Sequence, residues 1–320
     1  MIRVQTGSRV HFGLLNFGTV NNRSSGTFGG VGLMVQQPGI TLELYPAKTW
    51  SADGPLAERA LAFASMILPT LPPDIVQPQH IHIGQAAPEH MGLGTGTQLG
   101  LAVASAVVHA FSLKDIPVTE LACRVNRGQR TALGVHGFAQ GGFLVDAGKS
   151  DSEAVAPLVA RVDFPEPWRI ILMLPCGRKG LHGDLETKAF NRLRRFPYHD
   201  AADNLFRQIH CDMLPALKDG DYQTFGEAVF NFNRRVGETF ASVQGGTYSN
   251  PQNSDLVQFI RSQGIPGAGQ SSWGPGVFAI AKDEPQAESL AQSICNRFGF
   301  QMEVIVTAAQ NRGALVERIQ

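Results

Sequence analysis

Residues 88 to 100 read PEHMGLGTGTQLG, and these types in this order suit an anion. Gly92, Gly94 and Gly96 alternate, so across this stretch the backbone can be approached closely. Leu93 separates the first two, while Thr95, Thr97 and Gln98 add polar side chains. An apolar run at residues 81 to 83 leads in as a strand would, and residues 99 to 111 leave as a buried helix. A helix starting there adds about half a positive charge and open amides at its first turn. Phosphate or pyrophosphate is the ligand class this implies.

Two common phosphate patterns are excluded. A Walker loop needs Lys and then Ser or Thr after its last glycine, but Thr97 and Gln98 follow Gly96. A dinucleotide fold needs a second strand with an acidic end about twenty residues on, where residues 117 to 131 read as a helix instead.

Other candidates stand near further Gly-rich clusters. Arg9 and His11 lie on an alternating strand at residues 4 to 12. Arg127 and Arg130 are three apart on the expected helix, so they share a face and can clamp a second anion. His136 falls in GVHGFAQGG, which reads as a tight turn beside the ligand. Ser271, Ser272 and Trp273 lie in GAGQSSWGPG, which is not a hydrolase elbow because Trp273 stands where that motif needs glycine. They line a pocket wall, with Trp273 available to stack on an aromatic ligand. His182 and Glu186 are four apart in GLHGDLE and reach substrate or a cation from one helical face. Asp146 and Asp184 are weaker cation candidates, and no metal-ligand set is assigned.

The elements that must position these residues fit a chain of 320 residues, long enough for two cores. Strands are expected at residues 4 to 12, 31 to 35, 40 to 45, 142 to 147, 169 to 174, 276 to 282 and 302 to 308. Helices are expected at 56 to 68, 99 to 111, 117 to 130, about 200 to 217, 221 to 240, 254 to 263 and 285 to 298. That order is α+β, with a boundary near residue 160 separating domains 1–160 and 161–320. Lys plus Arg equal Asp plus Glu at 27 each, so no overall field recruits nucleic acid or an anionic membrane surface. No run approaches the about 18 apolar residues of a membrane span. Four scattered cysteines without a C-x-x-C pair argue against zinc or disulfides and for a reducing cytoplasm.

Three separated segments together resemble the GHMP kinase superfamily. Pro88, Gly92, Leu93, Gly94, Thr95 and Gly96 match its second motif; Gly267, Gly269, Ser271, Ser272, Gly274 and Pro275 match its third. The resemblance implies a ribosomal protein S5 domain 2-like amino-terminal domain and a ferredoxin-like carboxyl-terminal one. The Ser-Gly-x-x-Asp segment that supplies a catalytic Asp in many of these kinases is replaced by residues 134 to 142, which hold no acid. GSRVHFGLLNFG, GGFLVDAGK and GLHGDLE resemble instead the β-ribofuranosylaminobenzene 5′-phosphate synthase family, whose members are not kinases.

That resemblance implies decarboxylating phosphoribosyl transfer from phosphoribosyl pyrophosphate to 4-aminobenzoate, or a related 4-substituted benzoate, in methanopterin biosynthesis. It further implies Mg²⁺, no ATP requirement and a homodimer. Gly92 to Gln98 then hold pyrophosphate, and Arg9, His11, Arg127 and Arg130 meet the 5′-phosphate or the carboxylate. An ATP-dependent small-molecule kinase and a non-catalytic phosphate-binding protein remain as alternatives.

Overall fold

The computed structural model describes residues 1–16, 28–113, 115–149, 153–177, 180, 188 and 199–319. In chain order the elements are β1 (Ile2–Asn16), β2 (Phe28–Pro46), β3 (Ser51–Asp53), α1 (Ala57–Ile67), β4 (Gln79–Gln85), α2 (Thr95–Ala110), α3 (Val118–Arg124), α4 (Leu133–Gln140), β5 (Phe143–Asp146) and β6 (Leu158–Val162). There follow β7 (Arg169–Pro175), α5 (His199–Gln208), a π-helical turn (Ile209–Met213), α6 (Leu214–Asp219), α7 (Tyr222–Gln244), α8 (Pro251–Ser262), β8 (Gly267–Gln270), β9 (Val277–Ala281), α9 (Glu284–Phe298), β10 (Met302–Ala308) and β11 (Leu315–Arg318).

The first sheet runs β11-β1-β2-β4-β3, with β5 and β6 joined on β2. Besides β1, β2 serves two partners: Gly30 to Leu33 pair with β5, and Thr41 to Pro46 with β4. One long strand therefore replaces the two expected at residues 31 to 35 and 40 to 45, because β1 pairs along both halves despite register shifts. The second sheet runs β10-β7-β9-β8, antiparallel throughout, with α9 crossing from β9 to β10. This 4-1-3-2 order is ferredoxin-like, and the α+β reading holds.

Two helical features depart from the local expectation as well. The helix expected at 117 to 130 stops at Arg124, where the Arg127 N–H donates to Ala122 O and Asn126 takes φ 53°. That is a Schellman-type end with Asn in the left-handed position. Conversely, residues 134 to 140 of the GVHGFAQGG stretch are helical (α4) rather than a turn. Its glycines serve close packing: a Cβ on Gly137 would sit 2.4 Å from Met34 Sδ, and one on Gly134 would sit 3.0 Å from Thr97 Cγ2.

The halves share apolar interior. Phe12 of β1 and Phe143 of β5 lie in one buried cluster with Phe225 and Phe232 of α7 and Phe278 of β9. Phe12 and Phe278 have ring centroids 4.9 Å apart. The carboxyl-terminal strand β11 returns to pair with β1. No helix among the described residues is long and apolar enough to cross a membrane.

Candidate active site

Three chain segments are tied at one point. The Arg9 N–H donates to Leu93 O at 2.8 Å, joining β1 to the Gly-rich loop. Ser271 Oγ accepts from the His11 N–H at 2.9 Å and donates to Gly92 O at 2.7 Å. The Ser272 N–H returns to His11 O at 3.2 Å. Gly92 has φ +81°, and a Cβ there would sit 2.1 Å from Ser271 O, so only glycine allows this approach. Ser271→Ala leaves the His11 N–H and Gly92 C=O buried without their shared partner. It should cost about 2–4 kcal/mol in urea unfolding, and a loss within experimental error would show that the knot is not structurally important.

Beside this knot lies a cavity of about 610 Å³. Its walls include Gly92 to Thr97, Arg9 and His11 of β1, Arg59 of α1, Arg127 and Arg130 of the segment after α3, and Ser272 to Gly274. α2 begins at its edge with Gly94 as N-cap and no side-chain cap, so its positive end faces this region. The Thr95 hydroxyl donates to Pro88 O at 2.9 Å, bracing the loop from within.

The electrostatics are one-sided. Arg127 stacks over the Phe63 ring at 4.8 Å and Arg59 over the same ring at 5.8 Å. Burial, then the charges of Arg59 and Arg130, push the Arg127 guanidinium down to about 10. Burial likewise lowers Arg59. Among the described lining residues Glu89 is the acidic one, and it is ion-paired with Arg59. His11 is 2 % exposed; burial first, and the Arg9 charge second, hold its imidazole well below the usual histidine range, hence neutral. Its Nδ1 has no hydrogen-bond partner among the described residues.

Several sequence candidates converge here and others do not. Arg9, His11, Arg127, Arg130, Gly92, Leu93, Gly94, Thr95, Gly96, Thr97, Ser272 and Trp273 line the cavity. Arg127 and Arg130 arrive on an irregular segment, not a helical face, and the turns at Asn126 and Gly128 aim them. Gln98 is fully buried and acts as a strut: it accepts from Thr6 Oγ1 at 2.7 Å and donates to Gly134 O at 2.8 Å. His136 is not a lining residue; its Nε2 meets Ala156 O at 2.8 Å. Ser271 sits behind the wall as the knot. Trp273 lines the cavity and stacks on Phe240 at 5.3 Å. His182, Asp184 and Glu186 lie outside the described residues.

Asp146 is neither a lining residue nor open to a cation. It is fully buried and accepts from the Gly30 N–H at 3.2 Å, the Ala132 N–H at 2.9 Å and the Gly148 N–H at 3.0 Å. Sequence reasoning missed Arg59, Glu89, Asn126 and Gln129. Arg59 sits on an ordinary amphipathic helix, and only its packing over the loop distinguishes it. The Asn126-to-Gly128 pair was a readable helix stop.

The Gly-rich loop at the start of α2 and the ferredoxin-like second sheet define a chain of the GHMP kinase fold. Residues 213–299 match the family described as GHMP kinases C terminal. Mevalonate diphosphate decarboxylase from Staphylococcus aureus superposes with TM-score 0.68 over 99% of each chain, at 14% identity.

Full-length relatives narrow this further. The chain is 31% identical to β-ribofuranosylphenol 5′-phosphate synthase of Methanothermobacter thermautotrophicus, covering 98% of each, and 29% identical to that of Archaeoglobus fulgidus, covering 99% of this chain and 100% of the relative. The chain belongs to the β-ribofuranosylphenol 5′-phosphate synthase family.

Proposed function

We propose that this protein transfers a ribosyl 5′-phosphate group from phosphoribosyl pyrophosphate to the ring of a 4-substituted benzoate, releasing CO₂ and pyrophosphate, in methanopterin biosynthesis. The supporting observation is a cavity that joins four arginines and an uncapped helix start to a buried, neutral histidine. The relatives' name carries a phenol, so 4-hydroxybenzoate is the first acceptor we propose and 4-aminobenzoate the second.

In this reading the bond between the anomeric carbon and the pyrophosphate oxygen breaks, and its electrons leave with pyrophosphate. Arg59, Arg127 and the amides at the start of α2 meet that charge. The ring carbon bearing the carboxylate forms the new C–C bond. The C–CO₂ bond then returns its electron pair to the ring, restoring aromaticity without a proton transfer. A strong base is unnecessary, which suits residues 134 to 142 and the fully engaged Asp146 oxygens. Arg9 and Arg130, which line the same cavity, take the 5′-phosphate and the benzoate carboxylate in this reading, since guanidinium pairs with both. Neutral His11 offers a ring nitrogen to a substrate hydroxyl without adding charge.

The described residues do not form a metal site of their own, because no group of three or more His, Cys, Asp or Glu is placed to hold an ion among them. Mg²⁺ is therefore proposed as a companion of the donor pyrophosphate. A cytoplasmic homodimer is proposed as well, and the free, exposed cysteines suit a reducing compartment.

The test is carboxyl-labelled 4-hydroxybenzoate or 4-aminobenzoate incubated with phosphoribosyl pyrophosphate and Mg²⁺. Label should leave as CO₂ in step with pyrophosphate, without ATP. ATP consumption with no label release would establish a kinase in its place.

A further inference from the structure

The cavity contains an ion pair of which the reaction above uses only the arginine. Glu89 stands on the loop just before Gly92, and its carboxylate is paired with Arg59 of α1. Both side chains are mostly buried, at 32% exposure for Arg59 and 26% for Glu89. Arg59 also lies across the first turn of α2: a Cβ on Gly96 would sit 2.4 Å from its Nη2 and 3.1 Å from its Cζ. The guanidinium thus sits where the helix N-terminus, Arg127 and the Gly-rich loop meet. There, one carboxylate faces several cationic groups. Arg127 Nε has no hydrogen-bond partner among the described residues, and its guanidinium is crowded by Arg59 and Arg130. Such crowding of like charges is unfavourable unless an anion compensates it.

We propose that Glu89 occupies the donor's anion subsite in the free protein, and that Arg59 exchanges this carboxylate for a phosphoryl oxygen of the donor when the donor binds. The inference rests on the pyrophosphate-binding reading of this cavity, in which Arg59 is already a donor ligand, and adds Glu89 to it as the internal competitor for that arginine. The chemistry favours exchange. A carboxylate carries one negative charge and pyrophosphate carries several, so Arg59, Arg127 and the α2 terminus gain more from the phosphate. Once pyrophosphate is seated, a carboxylate left beside it is repelled, and Glu89 must swing toward solvent. The pair offsets part of the cluster's positive charge between turnovers, and it weakens binding of small anions that cannot displace Glu89.

The probe is inorganic pyrophosphate, titrated calorimetrically into the full chain in buffer containing EDTA, then again with Mg²⁺. Glu89→Gln is expected to bind metal-free pyrophosphate at least about 5-fold more tightly than the wild type, because the competitor is gone. Arg59→Gln and Arg127→Gln are expected to bind at least about 10-fold more weakly. In the double variant Arg59→Gln/Glu89→Gln, the gain from removing Glu89 should vanish, since the two residues act on each other. The pyrophosphate-induced rise in melting temperature supplies a second readout and should be larger for Glu89→Gln. Unchanged or weaker metal-free binding by Glu89→Gln overturns the exchange. Weakening confined to the Mg²⁺ titration would make Glu89 a metal ligand instead. A wild type that binds no pyrophosphate under either condition would remove the anion cavity and the proposed reaction together, whereas a wild type that binds but ignores Glu89 removes only the exchange.

Discussion

Replacing Gly96 by alanine is expected to weaken pyrophosphate binding severely while leaving the fold intact or slightly more stable. Gly96 lies in the first turn of α2, outside the left-handed region, so alanine fits the backbone and is about 1 kcal/mol the better helix former. Its methyl group would nevertheless stand 2.4 Å from Arg59 Nη2. That atom ends a flexible side chain, so Arg59 yields and loses its seat over the helix terminus. The methyl also covers the approach to the first-turn amides. Loss of one charge-assisted contact and of close backbone approach together should weaken binding at least about 100-fold, or about 2.7 kcal/mol. Calorimetry beside a thermal melt separates the two effects: near-normal affinity would show that the anion does not sit at this turn. Gly94 and Gly92 are less clean sites. Gly94 has φ +71°, so a β-branched residue is strained there, and Gly92 faces backbone at Ser271. Substitutions at either would mix folding with binding.

Asp146→Asn is expected to destabilise the protein by about 2–4 kcal/mol, and to raise KM for the donor more than it lowers kcat. The Asp146 oxygens gather N–H groups from β2, from the start of α4 and from Gly148, and Ala132 closes the segment that carries Arg127, Arg130 and Thr131. An asparagine must turn its NH₂ toward some of those donors, leaving them buried and unpaired. The cavity wall then loosens without any reacting group being lost.

The pH dependence has a definite sign. Burial pushes the Asp146 carboxyl from 3.8 up to about 7, against the opposing pull of its backbone donors. A carboxyl with a raised folded pKa binds its proton more tightly in the folded state. Its unfavourable charge is fully felt above about pH 7 and is relieved as pH falls toward 4, by at most about 4 kcal/mol. Asparagine does not titrate. The stability gap between wild type and variant should therefore widen from pH 8 to pH 5.5. A gap that narrows instead would mean that the N–H donors, not burial, dominate this carboxyl.

What the sequence determined by itself is set by local signals. Alternating glycines between an apolar strand and an apolar helix placed the Gly-rich loop at the start of α2, because close backbone approach needs glycine and the periodicity changes from strand to helix there. The order of strands and helices after residue 169 was enough for an α+β half, and the resemblance of the Gly-rich motifs supplied the ferredoxin-like expectation; the strand β8 (Gly267–Gln270) that completes the sheet was not legible, because its Gly-rich residues read as a loop. Gly92 to Thr97, Arg9 and His11 were readable for the same reason: each stands in a Gly-rich or strand segment. Arg127 and Arg130 were singled out by spacing on a helix that stops at Arg124, and they line the cavity by another route.

Tertiary structure decided the rest. The glycines of residues 134 to 142 read as a turn, yet they let α4 approach Met34 and Thr97 closely, which only the packed partner reveals. Gln98 looked like an anion donor, but the helical period turns it inward to Thr6 and Gly134 O. His136, on α4, meets Ala156 O instead of lining the cavity. Arg59 and Glu89 lie thirty residues apart in sequence and carry no motif. Their meeting over the start of α2 follows from how α1 packs on α2 around Phe63, and side-chain convergence of that kind depends on the whole core.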